Sequence, residues 1–254
     1  MRKRYAHVIW RRRDPRHYRF PLPNAVWEYK LKSLEFVIFS YLCYCGTHGQ
    51  AVDLTPEVVA DGVHLSVDTT RKYLDSLVGR GLITTEGTLA PDAQHTGTEK
   101  YFTLPNEIFL LKLPTSAFMV YAYLLLIENR RTHTCHPSYN TIAAATGMVK
   151  NTAMKSIGVL LEMGLITMEH SQYIDERGMK WKGNNLYKIL PVRAAVDAHY
   201  QQQLDQLKLE EERRRIRKQQ EEYDRCHTRA ALCAPTAVQA SPDPPQLPEP
   251  LCSR

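Results

Sequence analysis

The 254 residues of this chain have room for one or two domains with small separate cores, and that length makes no large enzyme scaffold. The formal net charge of +6 is moderate, but the cations are bunched, and this asymmetry points to a polyanionic partner more strongly than the total does. No apolar run approaches the roughly 18 residues of a membrane span, and the charged N-terminus is not followed by the apolar core of a secretory signal. A cytoplasmic protein with no membrane partner is therefore expected.

Residues 1–19 form an arginine-rich arm, with Arg2, Lys3, Arg4, Arg11, Arg12, Arg13, Arg16 and Arg19 against a single acid, Asp14. Two readings stay open for it. One is a solvated tail whose Tyr5, Val8, Ile9 and Trp10 dock on the first domain; the other is an arm whose guanidinium groups, Arg11, Arg12 and Arg13 among them, follow duplex phosphates or the minor groove.

From residue 20 onward the chain repeats. Phe20, Leu22, Pro23, Asn24, Leu31, Ser33 and Phe36 recur 82 residues later as Phe102, Leu104, Pro105, Asn106, Leu113, Thr115 and Phe118. Farther on the shift is 83, carrying Thr69, Lys72, Leu77, Gly81 and Leu82 onto Thr152, Lys155, Leu160, Gly164 and Leu165. A repeat longer than a solenoid unit implies two similar small domains in tandem, 20–101 and 102–191.

Each domain reads as three helices and a hairpin. Ser33 is placed as the N-cap of a helix that is apolar nearly all round and so buried, and Thr115–Ile127 is its counterpart. Thr55 followed by Pro56 starts a short helix, with Ser138 in the equivalent position. After a turn, a third helix places Thr70, Leu74 and Leu77, or Ala153, Ile157 and Leu160, toward the core and leaves the opposite face free. Gly81 and Gly164 end these helices in the left-handed conformation. Two β-favouring segments then close each domain, the last of them ending at Leu104 and at Leu190. The predicted fold is thus mainly α with small β-hairpins, two tandem winged helix-turn-helix domains and a long C-terminal helix.

That helix, residues 192–233, is polar and charged, with Glu210 and Arg214, Glu211 and Arg215, and Glu221 and Arg225 spaced to pair along an exposed face. Val192, Val196, Tyr200, Leu204 and Leu207 make an apolar stripe over its first turns; beyond them Leu209, Ile216 and Tyr223 recur every seven residues. Self-association into a homodimer and packing back on the second domain both stay open. Residues 234–254 are proline-rich and read as disordered. Six cysteines fit reduced thiols, and Cys43 and Cys45, two apart on a helix, point to different sides, so neither a metal site nor a cofactor is expected.

In a helix-turn-helix the N-terminal residues of the second helix reach base edges. The first domain offers Ser66, Thr69, Arg71 and Lys72 there, but also Asp68, which opposes a polyanion unless it accepts from cytosine. The second offers Lys150, Asn151, Thr152 and Lys155, where Asn151 suits adenine and the lysines suit phosphate or guanine. Its hairpin tip adds Arg177, Lys180 and Lys182 around Trp181 as a backbone or minor-groove probe. The second domain is the better DNA reader on these residues.

The run His136, Pro137, Ser138, Tyr139, with Thr141, Ile142, Ala143, Gly147, Asn151, Thr152, Gly164, Leu165 and Ile166, resembles the helix-turn-helix proteins of bacterial mobile genetic elements. These are similar to the N-terminal winged-helix domains of plasmid replication initiators and to MarR-like and GntR-like regulators. The resemblance implies a non-catalytic, sequence-specific binder of double-stranded DNA in transcription regulation or replication initiation. Such proteins carry serine or threonine just before the recognition helix, where this chain has Val149, and arginine near Met154. The alternative is a winged-helix adaptor that binds protein through its C-terminal arm. Asp53, Asp61, Asp68, Asp75 and Asp92 form no close catalytic set, and no glycine-rich phosphate loop occurs.

Overall fold

The computed structural model describes residues 18–47, 55–84, 88–90, 100–174 and 179–233, with backbone alone at 170–174, 180–184 and 228–233. The arginine-rich arm before Tyr18 and the proline-rich stretch after Cys233 lie outside these residues. One order of elements occurs twice. Strand β1 (Arg19–Pro23) leads through a 3-10 turn to helices α1 (Ser33–Thr47), α2 (Pro56–Val63) and α3 (Val67–Gly79). Strand β2 (Tyr101–Pro105) leads likewise to α4 (Thr115–Ile127), a two-residue strand β3 (Thr134–Cys135), α5 (Tyr139–Thr146) and α6 (Lys150–Glu162). Strands β4 (Ile166–Ile174) and β5 (Lys180–Ile189) and helix α7 (Val192–Cys233) follow.

Local chemistry sets most helix ends. Thr55 caps α2 by accepting from the Val58 amide, with Pro56 in the first turn, and Ser138 caps α5 by accepting from the Thr141 amide at 3.1 Å. Gly81 (φ 71°) and Gly164 (φ 66°) follow α3 and α6 in the left-handed region, letting the Leu82 and Leu165 amides bond back to Leu77 and Leu160. Helix α1 departs from the sequence expectation: the Phe36 amide bonds to the Lys32 carbonyl, so the cap falls one residue before Ser33. Glu35 in the first turn reaches back to accept the Lys32 amide at 2.9 Å, half of a capping box.

The Glu35 carboxylate is only 3% exposed and also accepts from Ser76 Oγ at 2.8 Å and Arg80 Nη1 at 3.1 Å. Burial alone would raise its pKa, but the Lys32 amide, the Ser76 hydroxyl and the Arg80 guanidinium together hold it below the usual carboxylate range. The same guanidinium donates to the Tyr29 carbonyl, tying the end of α3 to the start of α1.

The first copy closes differently from its sequence pattern. Ile83 bridges Leu89 and the Thr84 amide bonds to the Thr88 carbonyl, and the segment ending at Leu104 does not return to this bridge. It pairs instead with β1, antiparallel, setting Phe20 opposite Leu104, Pro21 opposite Thr103 and Leu22 opposite Phe102. Both strands bury the same alternate positions, so each supplies the apolar cross-strand neighbours the other lacks. In the second copy the expected hairpin forms: β4 and β5 are antiparallel, and β3 adds along the other edge of β5.

Because β1 and β2 are the two copies of one segment, their pairing relates the copies by an internal two-fold axis. The Asn24 amide bonds to Lys100 and the Asn106 amide to Tyr18, a pair of bonds that exchange under the 82-residue shift. Ser33 meets its own equivalent Thr115 at 3.3 Å, and Phe36 meets Phe118 at a ring distance of 6.2 Å, as only residues close to such an axis can. Phe20, Phe109 and Phe118 stack across the boundary, and the buried side chains form one continuous cluster from Phe20 to Val196. The described residues through Gln201 form one compact unit.

Within that unit, Ala195 and Val196 of α7 are buried and Tyr200 is half-buried. Residues 202–233 form a separate unit. There Leu204, Leu207, Leu209, Ile216 and Tyr223 are exposed, and ion pairs close three residues apart, Asp205 with Lys208 at 3.4 Å and Glu212 with Arg215 at 2.9 Å. The four-apart pairs expected from the sequence do not reach contact distance, since exposed long side chains gain little from any one geometry. Among the described residues, no helix is long and apolar enough to cross a membrane.

Candidate nucleic-acid interface

Helix α6 buries Ala153, Ser156, Ile157 and Leu160 and packs this face on α4. The 3.6-residue period then forces Lys150, Asn151, Met154 and Lys155 onto the opposite face, where all four are exposed; Thr152, at the margin, is half-buried. Helix α5 carries no acid and α6 carries one, Glu162, which is exposed in the last turn, away from Lys150 and Asn151 in the first. The start of α6 has no side-chain cap, because Val149 occupies the cap position and is 69% exposed. Its first-turn amides and the two lysines thus share one end of the helix, which favours an anion there.

The equivalent face of α3 has been neutralised. Arg71 Nη2 lies 3.3 Å from Glu57 Oε1 on α2, and its Nη1 lies 3.9 Å from Asp68, whose side chain is 97% exposed. Donation from its own amide and from the Thr55 hydroxyl, with Arg71 nearby, holds the Glu57 carboxyl below the usual range, so the pair stays charged at neutral pH. Lys72 sits 6.0 Å over the Tyr73 ring. Ser66 and Thr69, both expected to contact DNA, also bond to one another: Ser66 Oγ accepts the Thr69 amide at 3.3 Å and donates to Thr69 Oγ1 at 2.7 Å.

Of the other expected contacts, Lys180 and Lys182 lie on β5, opposite Ile174 and Gln172 of β4, as backbone positions. Arg177, Arg11, Arg12 and Arg13 lie outside the described residues. Val149 at the cap and Met154 on α6, both marked in the sequence as departures from the proteins it resembles, are exposed beside Lys150, 69% and 44% respectively. The Glu57–Arg71 pair joins two helices and has no signature at local spacing.

Among the described residues, Cys43, Cys45 and Cys135 are free and buried and Cys226 is free and exposed. Burial raises the Cys43 thiol and pushes Cys135 up to about 12, away from the thiolate that metal binding or nucleophilic attack requires. Among the described residues, no group of three potential ligands gathers for a metal ion.

Residues 111–166 match the family model of a helix-turn-helix domain. No curated protein matches the sequence. A solved structure, a "possible transcriptional regulator" from Methanosarcina mazei Go1, is similar to this chain at 20% identity over 44% of this chain and 89% of that one, with a TM-score of 0.29. The family match spans α4, α5 and α6, the three helices that build the basic face just described. The second copy therefore carries a helix-turn-helix domain, and this supports a DNA-binding regulator.

Proposed function

We propose that the protein is a non-catalytic, sequence-specific binder of double-stranded DNA, acting in transcription regulation or replication initiation of a mobile element. In this organisation 1–19 is a basic arm, 20–101 and 102–191 are tandem helix-turn-helix copies of which the second is winged, 192–233 is a charged helical arm and 234–254 is a proline-rich tail. Helix α6 enters the major groove: Asn151 reads adenine, Lys150 and Lys155 contact phosphate or guanine, and Thr152 supports the helix on the backbone. The β4–β5 hairpin is the wing, with Arg177, Lys180 and Lys182 on the flanking backbone.

The observation that carries this reading is the exposed, acid-free first two turns of α6, with Lys150, Asn151 and Lys155, within the matched helix-turn-helix region. Electrophoretic mobility against DNA of the element tests it. Binding should fall with rising salt and weaken in Lys150→Ala and in Asn151→Ala; unchanged binding in both variants removes α6 as the reader.

The second reading, a protein-binding adaptor or a homodimer through the C-terminal arm, is favoured by exposed Leu204, Leu209, Ile216 and Tyr223 on α7. A pull-down that survives nuclease, with no retention on heparin, would replace the DNA-binding reading with this one.

A further inference from the structure

The internal two-fold axis changes what one chain can read. It passes between Ser33 and Thr115 and between Phe36 and Phe118, at the beginnings of α1 and α4. The end of α3 is tied there too, since Arg80 bonds to Glu35, two residues from Ser33. Helix α6 packs on α4 as α3 packs on α1. Both candidate reading helices therefore end near the axis and begin away from it. Thirteen residues at about 1.5 Å each carry a reading end roughly 20 Å outward, so the two ends stand up to about 40 Å apart. Successive major grooves on one side of B-DNA are about 34–36 Å apart, which is within that reach.

Two-fold-related readers meet the two halves of a site in inverted orientation, which is why symmetric dimers bind palindromes. Here the two readers are joined in one chain and do not match. Val67, Asp68 and Arg71 of α3 stand where α6 has Lys150, Asn151 and Met154. Asp68 is an acceptor only, so among bases it suits the cytosine amino group, and Arg71 in the same turn suits guanine. Asn151 suits adenine, and the exposed methyl-bearing Val149 and Met154 suit the thymine methyl.

Resting on the DNA-binding reading above, we infer that a single chain acts as its own dimer on one duplex. It recognises two inverted half-sites of different sequence about one helical turn apart. Helix α6 holds the stronger, A·T-containing half, and α3 holds the weaker, G·C-containing half. The inequality gives the complex a direction on the DNA, which an exact palindrome cannot do.

Selection of the full chain on a random duplex pool tests this, with the stoichiometry of the selected complex measured by sedimentation. The expected result is a bipartite motif with unlike halves, bound by one chain. Asn151→Ala should flatten the A·T-containing half and lower affinity roughly 5- to 100-fold, while Asp68→Ala or Arg71→Ala should flatten the other half alone. All three positions are exposed, and circular dichroism checks that each variant is folded. A motif confined to one half, or an exact palindrome bound by two chains, would overturn the inference while leaving DNA binding intact. A pool with no enrichment would remove the DNA-binding reading itself.

Discussion

The two copies share a backbone plan but place their charges in opposite locations. Where α1 meets α3, the first copy buries Glu35 under Ser76 and Arg80. The equivalent positions between α4 and α6 hold Ala117, Val159 and Met163, packed in or against the apolar core. On the outer face the relation reverses: Arg71 is engaged by Glu57 and Asp68, while in the second copy no acid lies on α5 or in the first two turns of α6, where Lys150 and Lys155 stand. One copy uses its ions to join helices, and the other keeps an apolar joint and leaves its cations outside. The same fold accommodates both, so the difference follows what each outer face meets rather than what the fold needs.

The buried network is where breaking this comparison costs most. Arg80→Met, which gives the first copy the residue of the second, should lower unfolding stability by about 3 kcal/mol, because it leaves the Glu35 carboxylate buried without its guanidinium; Arg80 is itself partly exposed, which keeps the cost at the low end for a buried pair. Urea denaturation at neutral pH measures this. The triple variant Glu35→Ala, Ser76→Val, Arg80→Met, carrying the whole apolar joint, should recover most of the loss. The pH dependence has a definite sign. The folded-state pKa of Glu35 lies below its ordinary value of 4.5, so its contribution is present above that value and is lost as pH falls through the folded pKa. Glu35→Gln should flatten this part of the acid limb, and an unaltered limb would separate Glu35 from acid stability.

Exchanging outer-face residues gives smaller effects. Asn151→Asp places the acid of α3 on α6 and should weaken binding to the selected duplex about tenfold or more, read by fluorescence anisotropy at fixed salt, with equal affinity as the contrary result. Val149→Ser gives α6 the cap that Ser66 gives α3, and should raise stability by about 1 kcal/mol, seen as a higher Tm. A Tm at or below that of the parent would show that the uncapped start is already satisfied.

Much of this was legible in the chain because it depends on neighbours a few residues apart. Thr55 with Pro56, Ser138, Gly81 and Gly164 mark helix ends through local hydrogen bonds and backbone freedom, and the helical period placed Lys150, Asn151 and Lys155 on an outer face. The repeat also identified which residues correspond. What it could not show was that corresponding segments pair with each other. Tyr101–Pro105 alternates like any half-buried strand, and nothing local distinguishes a partner in β1, 82 residues away, from one at Ile83; two separate cores were expected and one continuous core is found. Glu35 was hidden for a similar reason, as one acid in an apolar helix whose partners Ser76 and Arg80 lie more than 40 residues on. Ser66 was legible as a cap, and its Oγ accepts the Thr69 amide as expected.

The salt dependence of DNA affinity in two double variants tests most directly that the second copy is the electropositive reader. Each lysine lost from a phosphate contact should reduce the slope of log affinity against log salt by about 0.9, so Lys150→Ala with Lys155→Ala should reduce it by about 2. Arg71→Ala with Lys72→Ala, on the neutralised face, should change it by less than about 1. An equal or larger change from the α3 pair, or none from the α6 pair, would contradict the account.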